Sequence, residues 1–163
     1  MTTTAHYRAT TGDAISVLGY TDMFVIDYDH ASLTASVADN TAVAVTLDAL
    51  AAYDIVKQDV LIEVTRGWTG PSDLTATASV GVTGSATALT PALTITTAGA
   101  ASTVGSVDTS DNQTNAHYMA SSAINLIVTF TPDADSGIDE FTAGQLRVYC
   151  NISRSADRLA LAA

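Results

Sequence analysis

The chain contains 163 residues, of which only 14% are charged, and its 17 acidic residues against 6 Lys and Arg give a formal net charge of −11. A protein with this charge repels the phosphate backbone, so nucleic acid is not an expected partner. The single cysteine, Cys150, excludes an internal disulfide and a four-thiolate zinc site, and no apolar run reaches the roughly 18 residues of a membrane helix.

The elements predicted along the chain are mainly strands, because apolar residues alternate with small or polar residues at a period of two. Ile15–Tyr20 and Met23–Asp29 are predicted as the first strands, and Asp48–Tyr53 as a single helical turn. A short helix or a loose tail is expected after Arg154. Five runs show the strongest alternation, at residues 43–47, 60–64, 74–82, 124–130 and 146–152.

The predicted fold class is all-β: an antiparallel β-sandwich, jelly-roll-like, with about seven to nine strands. No strand is followed by a convincing helix, which argues against parallel βαβ units. The length suits a single domain over residues 1–163. The prediction allows for a flexible N-terminal arm at residues 1–10, a loop or arm at residues 98–115 and a C-terminal tail at residues 155–163.

Residues 98–115 form the segment whose sequence is hardest to place. They are small and polar, with two Val and no large aromatic residue, so they cannot form a core of their own. A connection of this length is uncommon in a compact domain unless it is functional or mobile. Two interpretations stay open: an arm that becomes ordered against a neighbouring subunit, or a plain flexible loop.

The histidines do not indicate a metal site. His6, His30 and His117 are not spaced as two ligands on one element would be. His30 follows Asp27-Tyr28-Asp29, where a carboxylate–imidazole site is conceivable. On a strand, however, the two Asp would share one face and His30 would lie on the other, so an exposed strand end is the favoured interpretation.

An acidic segment around Gly137 is the one candidate for metal binding. Asp133, Asp135 and Asp139 offer oxygen ligands at alternating positions, which suits Ca²⁺. The spacing imitates part of a calcium-binding EF-hand loop but does not complete its twelve-residue pattern. The alternative is an acidic hairpin turn in which Pro and Gly supply the backbone angles and the carboxylates form Asx turns. The turn is favoured, so no metal or other cofactor is expected.

Nucleophilic catalysis has little support in the sequence. No Ser occurs in a Gly-x-Ser-x-Gly motif, and no pair of carboxylates is singled out for glycoside hydrolysis. Cys150 lies between Val148 and Ile152 on the inward face of a predicted strand, where a small core side chain is expected rather than a reactive thiolate. The chain is therefore predicted not to be an enzyme.

A carbohydrate-binding sandwich would need exposed aromatic side chains on one face. Trp68, Tyr149 and Tyr28 are the candidates, from a supply of one Trp, six Tyr and three Phe. Trp68 lies beside a Gly-Pro turn, where it is expected to cap the core instead. Carbohydrate binding therefore stays an alternative to the main interpretation.

Four segments resemble small virion proteins of tailed bacteriophages. Phe141–Tyr149 resembles their closing strand, in which a Thr-Ala-Gly turn leads into alternating residues. Met23–Tyr28 is similar to their first strand, Asp54–Thr65 to their long central strand, and Asp73–Val82 to the strand paired with it. The resemblance covers roughly residues 14–154 and is one of pattern and composition. It implies a head decoration, or cement, protein: a β-sandwich that oligomerises on the outer surface of the capsid.

The residues on the second face of the predicted strands agree with this implication. Because these residues are small, the face is expected to be flat, which suits burial against another protein. The negative net charge of the chain also suits a position on the outside of a head filled with DNA, because the two would repel each other inside it. The small residues are Ala42, Ala44, Thr75, Thr77 and Ser79.

The expected function is therefore that of a non-enzymatic capsid decoration protein. The major capsid protein and further copies of the chain are its expected partners, and the virion surface is its expected location after synthesis in the host cytoplasm. Arg147 and Arg154 are candidates for contacts with acidic partners. A tail, fibre or adhesin module is the alternative within the virion.

Overall fold

The computed structural model describes residues 3–10, 14–35, 38–57, 60–71, 75–96, 102–104, 117–133 and 136–160. Within these ranges the chain forms twelve strands in three antiparallel sheets, which confirms the predicted all-β antiparallel fold. The strands are β1 (Ala5–Arg8), β2 (Asp22–Asp27), β3 (Val43–Leu50), β4 (Ile55–Lys57), β5 (Leu61–Thr69), β6 (Ala76–Val82), β7 (Leu93–Thr94), β8 (Ser102–Val104), β9 (His117–Met119), β10 (Ile124–Pro132), β11 (Ala143–Cys150) and β12 (Ile152–Ser153).

Two larger sheets are built around the long alternating strands. The five-stranded sheet has the order β1-β2-β11-β5-β8, and the four-stranded sheet has the order β3-β10-β6-β7. Because β2 pairs with β11, Asp22 lies opposite Cys150 although the two residues are far apart in sequence. A third, small sheet has the order β12-β4-β9, and its strand β12 follows β11 directly in the chain.

The buried faces of the two larger sheets contribute to one hydrophobic core. On β10, Val128 and Phe130 are fully buried, whereas Thr129 and Thr131 point to the other face. The indole of Trp68 is buried at 5.0 Å from the ring of Phe130 and 5.1 Å from that of Phe141, measured between ring centroids. The core position predicted for Trp68 is therefore confirmed, and so is that of Cys150, which is fully buried.

The helical elements are short. They are α1 (Ala14–Val17), α2 (Ala31–Thr34), α3 (Ser155–Ala160) and a 3₁₀ turn, Ile138–Glu140. None of the helices among the described residues has the length and apolarity that crossing a membrane requires.

Two local predictions are wrong. Ile15–Tyr20 is not a strand, because α1 occupies its first half. The turn ends at Gly19, which has a φ of 85° and donates its N–H to the carbonyl of Ser16. The helical turn predicted over Asp48–Tyr53 is absent, because β3 continues to Leu50 in its pairing with β10. The reversal after β3 uses Tyr53 at a φ of 68°.

The three segments set apart by the sequence differ in outcome. The sequence allows a flexible arm at residues 1–10, but Ala5–Arg8 form β1 at the edge of the five-stranded sheet. Within residues 98–115 the structure describes β8, paired with β5, and the rest of that segment lies outside the described residues. The C-terminal helix is present as α3, and residues 161–163 lie outside the described part.

His30 is buried, so its expected place at an exposed strand end is wrong. It is the N-cap of α2, where its Nδ1 accepts a hydrogen bond from the N–H of Ser32 at 3.2 Å. Its Nε2 lies 3.2 Å from the hydroxyl of Thr4, and burial lowers its pKa although Asp29 acts in the opposite direction. Both ring nitrogens therefore have partners within the fold, and the residue serves as a helix cap.

Candidate functional site

Charged side chains from five segments converge at one end of the two larger sheets around Arg154. We call this group the charged junction. Arg154 follows β12, and its guanidinium bonds to Asp48 at the end of β3. The same guanidinium lies 3.5 Å from Asp54 and 3.8 Å from Asp22. The junction consists of His6, Arg8, Asp22, Asp48, Asp54 and Arg154.

Asp54 is the most densely hydrogen-bonded carboxylate of the junction. Its Oδ1 accepts from the N–H of Ser155 at 2.7 Å and from the Ser155 hydroxyl at 2.9 Å. Its Oδ2 accepts from the N–H of Ala51 at 3.0 Å. The carboxylate thus holds the turn after β3 against the start of α3. Its burial raises the pKa, but the hydrogen bonds from Ser155 and Ala51 together with the charge of Arg154 outweigh this, so the pKa of Asp54 is lowered.

Asp22 connects the junction to the edge of the five-stranded sheet. Its Oδ1 lies 2.8 Å from Nε2 of His6 on β1, and its Oδ2 accepts a 2.6 Å hydrogen bond from the hydroxyl of Thr21. The His6 ring also stacks on Phe24, with ring centroids 4.3 Å apart. Arg8, which is largely exposed, approaches the same carboxylate at 3.8 Å.

The positive charge of Arg154 is stabilised by the neighbouring carboxylates. Burial of Arg154 lowers its pKa, but the hydrogen bond and charge of Asp48 and the charges of Asp22 and Asp54 outweigh this effect and raise it. Formal charges nearly cancel, since three carboxylates face two guanidinium groups and one imidazole. In such a balanced group the loss of one partner destabilises the fold, because it leaves buried charge uncompensated.

Three of these side chains could geometrically hold a cation. One ligand atom from each of His6, Asp22 and Asp48 lies within 4.8 Å of the other two. Arg154, however, already bonds to Asp48 and lies beside Asp22, so its guanidinium supplies the positive charge that a cation would bring. The junction is therefore best described as a structural ion cluster that joins β1, β2, β3 and the C-terminal segment.

The lowered pKa of Asp54 makes a specific contribution to acid stability. A carboxyl group whose pKa in the folded state lies below its ordinary value of 3.8 stabilises the fold above that value, and the contribution is lost as the pH falls through the folded-state pKa. Asp54→Asn should therefore be less stable than the wild type near pH 6, and the difference should shrink by about pH 3. Chemical denaturation at several pH values measures this.

Asp157→Asn is the matched control for that measurement, because Asp157 is an exposed carboxylate on α3. At pH 6 its free energy of unfolding should stay within about 0.5 kcal/mol of the wild-type value. A constant difference between the wild type and Asp54→Asn from pH 6 to pH 3 would contradict the proposed role of the Asp54 charge.

The two arginines that were singled out have different environments. Arg154 is 13% exposed and committed to the junction, so it is not a freely available surface cation. Arg147 lies on β11, half-buried, beside Tyr149 and opposite Glu63. The hydroxyl of Tyr149 donates to Glu63 at 2.8 Å, and burial raises the pKa of Tyr149 with a further contribution from Glu63. Contacts of Arg147 with another protein stay a prediction.

The acidic segment after β10 is only partly described. Asp133 accepts hydrogen bonds from the N–H of Thr75 at 3.2 Å and from its hydroxyl at 2.7 Å, so its carboxylate joins the end of β10 to the residue before β6. Asp139 lies in the 3₁₀ turn, and Glu140 accepts from the N–H of Gly137 at 3.4 Å. Asp135 lies outside the described residues, so the choice between the favoured acidic turn and the alternative Ca²⁺ site stays open.

The aromatic residues considered for sugar binding do not form an exposed face. Trp68 and Tyr149 are buried, and Tyr28 is partly buried against the core. The large hydrophobic side chains that are exposed are scattered over β1, β9, two turns and α3. None of the three residues on which the carbohydrate-binding alternative depends is therefore available as an exposed aromatic side chain.

The outer face of the four-stranded sheet consists mainly of small uncharged residues, and its large apolar residue, Ile127, is buried opposite Thr46 and Gly81. Cross-strand pairing places Ala44 opposite Thr129, Thr131 opposite Thr77, and Thr77 opposite Thr94. We call its open part the Thr/Ala face, and a shallow depression of about 170 Å³ lies at one edge of it. The residues of the Thr/Ala face are Ala44, Thr46, Thr77, Thr94 and Thr131.

A loop after β6 covers the remainder of this sheet face. The hydroxyl of Ser79 donates to the carbonyl of Ala86 at 3.1 Å, and Ser79 is buried as a result. A Cβ atom at Gly81 would lie 2.5 Å from the backbone carbon of Ala86, so only glycine allows this close approach. Ala42 and Thr75, also expected on the small-residue face, are exposed and directly precede β3 and β6.

Sequence reasoning missed most of the charged junction. It singled out Arg154 but not Asp22, Asp48 or Asp54, because these residues belong to separate segments and share no local spacing. Comparison of the chain with protein-family models, curated proteins and solved structures yields no match. The function is therefore inferred from the residues and contacts of this chain.

Proposed function

We propose that the protein is a non-enzymatic decoration protein that binds the outer surface of a bacteriophage capsid. Its partner would be the major capsid protein, and its location the virion surface after synthesis in the bacterial cytoplasm. The proposal rests on the resemblance of residues 14–154 to small virion proteins, together with the all-β antiparallel fold.

The Thr/Ala face is the observation that carries this proposal. Its five residues include no charged side chain, although the chain carries a net charge of −11. A protein surface without ionised groups loses less hydration energy on burial than a charged one, provided that its Thr hydroxyls find hydrogen-bond partners in the interface. Short side chains also lose little rotamer freedom, so the entropy cost of an interface is small. The face is therefore suited to contact with another protein.

The proposed mechanism is mechanical rather than chemical. A specific contact buries about 1,200–2,000 Å² in total, and each bound copy would bridge neighbouring capsid subunits. Many copies acting together would resist expansion and internal pressure more strongly than a single contact can. The capsid would then have to break these contacts before its subunits separate.

Binding to stripped heads tests the proposal. Heads of the phage that carries this chain would be freed of the protein by a mild chaotrope and then incubated with purified protein. Thr46→Arg and Thr131→Arg, which place a long charged side chain on the Thr/Ala face, should weaken rebinding roughly tenfold or more. Cosedimentation of protein with heads measures this.

Ser122→Arg is the matched control, because Ser122 is exposed in the turn before β10 and lies outside the Thr/Ala face. It should rebind like the wild type. Full rebinding of Thr46→Arg and Thr131→Arg would contradict the role of the face. Recovery of the protein only with purified tails would favour the tail, fibre or adhesin alternative.

A further inference from the structure

The depression at the edge of the Thr/Ala face is the feature of that face with a defined shape. We call it the threonine depression, and it is lined by four threonines together with Ala76, Pro132 and Asp133. Its volume of about 170 Å³ lies below the roughly 300–1,000 Å³ of small-molecule pockets. A single side chain of a bound protein is therefore the occupant that fits it.

Asp133 is the charged residue among those that line the depression. Its Oδ2 accepts hydrogen bonds from the N–H and the hydroxyl of Thr75, at 3.2 Å and 2.7 Å, and these bonds fix the carboxylate in place. A carboxylate offers about four acceptor sites, so it can bind Thr75 and a cationic donor together. The lining includes no Lys or Arg, so a cation at this position has to come from a partner.

The threonine side chains suit a cationic occupant as well. Cross-strand pairing places Thr77 between Thr131 and Thr94, and all three line the depression. Their hydroxyl groups can accept hydrogen bonds from an ammonium or guanidinium group, and their methyl groups can pack against its alkyl stem. An acidic side chain would instead meet the like charge of Asp133 at short range.

Thr129 adds a polar group that the described part of the fold does not use. It lies at the centre of the same sheet face, opposite Ala44 and Ser79, while its neighbours Val128 and Phe130 point into the core. The residue is 9% exposed, and its hydroxyl has no hydrogen-bond partner among the described residues. Buried polar groups are normally hydrogen-bonded, and rotation about χ1 can turn this hydroxyl toward a molecule that covers the face.

We propose that the threonine depression receives a Lys or Arg side chain of the capsid partner, and that the backbone beside this residue accepts a hydrogen bond from Thr129. Thr129 and Thr131 lie two residues apart on β10 and point the same way, so the two contacts are about 7 Å apart along the strand. One extended segment of the partner can make both. The inference rests on the proposed capsid binding and specifies the chemistry of the partner segment: a backbone stretch with one basic side chain.

Charges of opposite sign at one exposed position test the basic side chain. Thr94 lies on the edge strand β7 and lines the depression, so Thr94→Asp adds a carboxylate there and Thr94→Lys adds a competing cation. At about 50 mM salt Thr94→Asp should bind stripped heads roughly tenfold or more tightly than Thr94→Lys, and the gap should narrow at about 500 mM salt. Cosedimentation with heads measures both affinities.

The matched control is the same pair of substitutions at Ser122, which is exposed and lies outside the Thr/Ala face. Ser122→Asp and Ser122→Lys should bind heads equally well. This pair separates the charge of the depression from the net charge of the chain.

Thr129→Val tests the hydroxyl, because valine has a similar shape without the polar group. It should bind heads about three- to tenfold more weakly. The denaturation midpoint of the free protein should stay equal or rise, because the hydroxyl has no described partner to lose. Thr90→Val is the contrast: Thr90 is buried too, but its hydroxyl accepts from the N–H of Val80 at 2.8 Å, so this variant should have a lower midpoint.

Equal binding by Thr94→Asp and Thr94→Lys, or wild-type binding by Thr129→Val, would overturn this inference and leave capsid binding by the Thr/Ala face standing. Failure of the wild-type protein to rebind stripped heads would overturn the proposed function and this inference with it.

Discussion

Arg154→Ala is expected to reduce the free energy of unfolding by about 3 kcal/mol, because removing one partner of a buried ion cluster leaves uncompensated charge. The side chains of Asp22 and Asp54 are each 4% exposed, so water can replace the guanidinium only in part. Asp48 would also lose its hydrogen bond from Arg154. Denaturant titration, with the slope compared between variants, measures the loss.

Arg66→Ala is the matched control, because it removes the same side chain from an exposed position on β5. Its effect should stay within about 0.5 kcal/mol. Arg154→Met/Asp54→Asn should be less destabilised than the sum of its single variants, because each substitution removes the charge that the other leaves unpaired. A loss below about 1 kcal/mol for Arg154→Ala would show that the junction is solvated rather than buried.

The long strands could be predicted from the sequence because each carries its own signal. A strand with one buried face must alternate, and the alternation in β3, β5, β6, β10 and β11 is visible without knowledge of the partners. The strands of two or three residues have no such signal. They form because a neighbouring strand offers unpaired N–H and C=O groups, as β8 does at the edge of β5.

The charged junction could not be predicted for a different reason. Asp22 reaches Arg154 only because β2 pairs with β11, and Asp48 reaches it only because β3 ends at the same side of the fold. A buried carboxylate and an exposed one look alike in sequence when their partners are distant. The expectation that Arg154 contacts an acidic partner therefore did not include the three carboxylates of its own chain that only the topology brings together.

His30 shows a similar effect at short range. The Asp-Tyr-Asp-His segment predicted a strand end, but the chain turns into α2 and uses the imidazole as its cap. Histidine is not among the preferred N-cap residues, so local propensity does not predict that His30 begins a helix. The contact of its ring with Thr4 depends on where the N-terminal segment packs.

The second large effect is expected for a substitution of Gly144, where the backbone lies close to the ring of Trp68. Gly144 lies at an irregularity in the pairing of β11 with β5 and has a φ of 149°, a value that residues with a Cβ rarely adopt. A Cβ at this position would lie 2.5 Å from Cδ2 and 2.6 Å from Cγ of the Trp68 ring. The ring cannot retreat easily, because Phe130 and Phe141 pack against it.

Gly144→Ala is therefore expected to destabilise the protein by about 3–5 kcal/mol, as the sum of backbone strain and overpacking of the core. Because the chain has a single Trp, its fluorescence reports directly on the displaced ring. Denaturation followed by fluorescence measures both the loss of stability and the changed environment of the native indole.

Gly84→Ala separates the two contributions. Gly84 has a φ of 89°, but a Cβ at this residue would have no heavy atom within 4 Å. The substitution should therefore cost only the backbone strain, about 1–2 kcal/mol, and leave the fluorescence unchanged. In a Trp68→Leu background the cost of Gly144→Ala should fall toward that of Gly84→Ala, because the overlapping ring is gone. Equal costs for the two glycine variants in the wild-type background would mean that the close approach to Trp68 does not constrain this position.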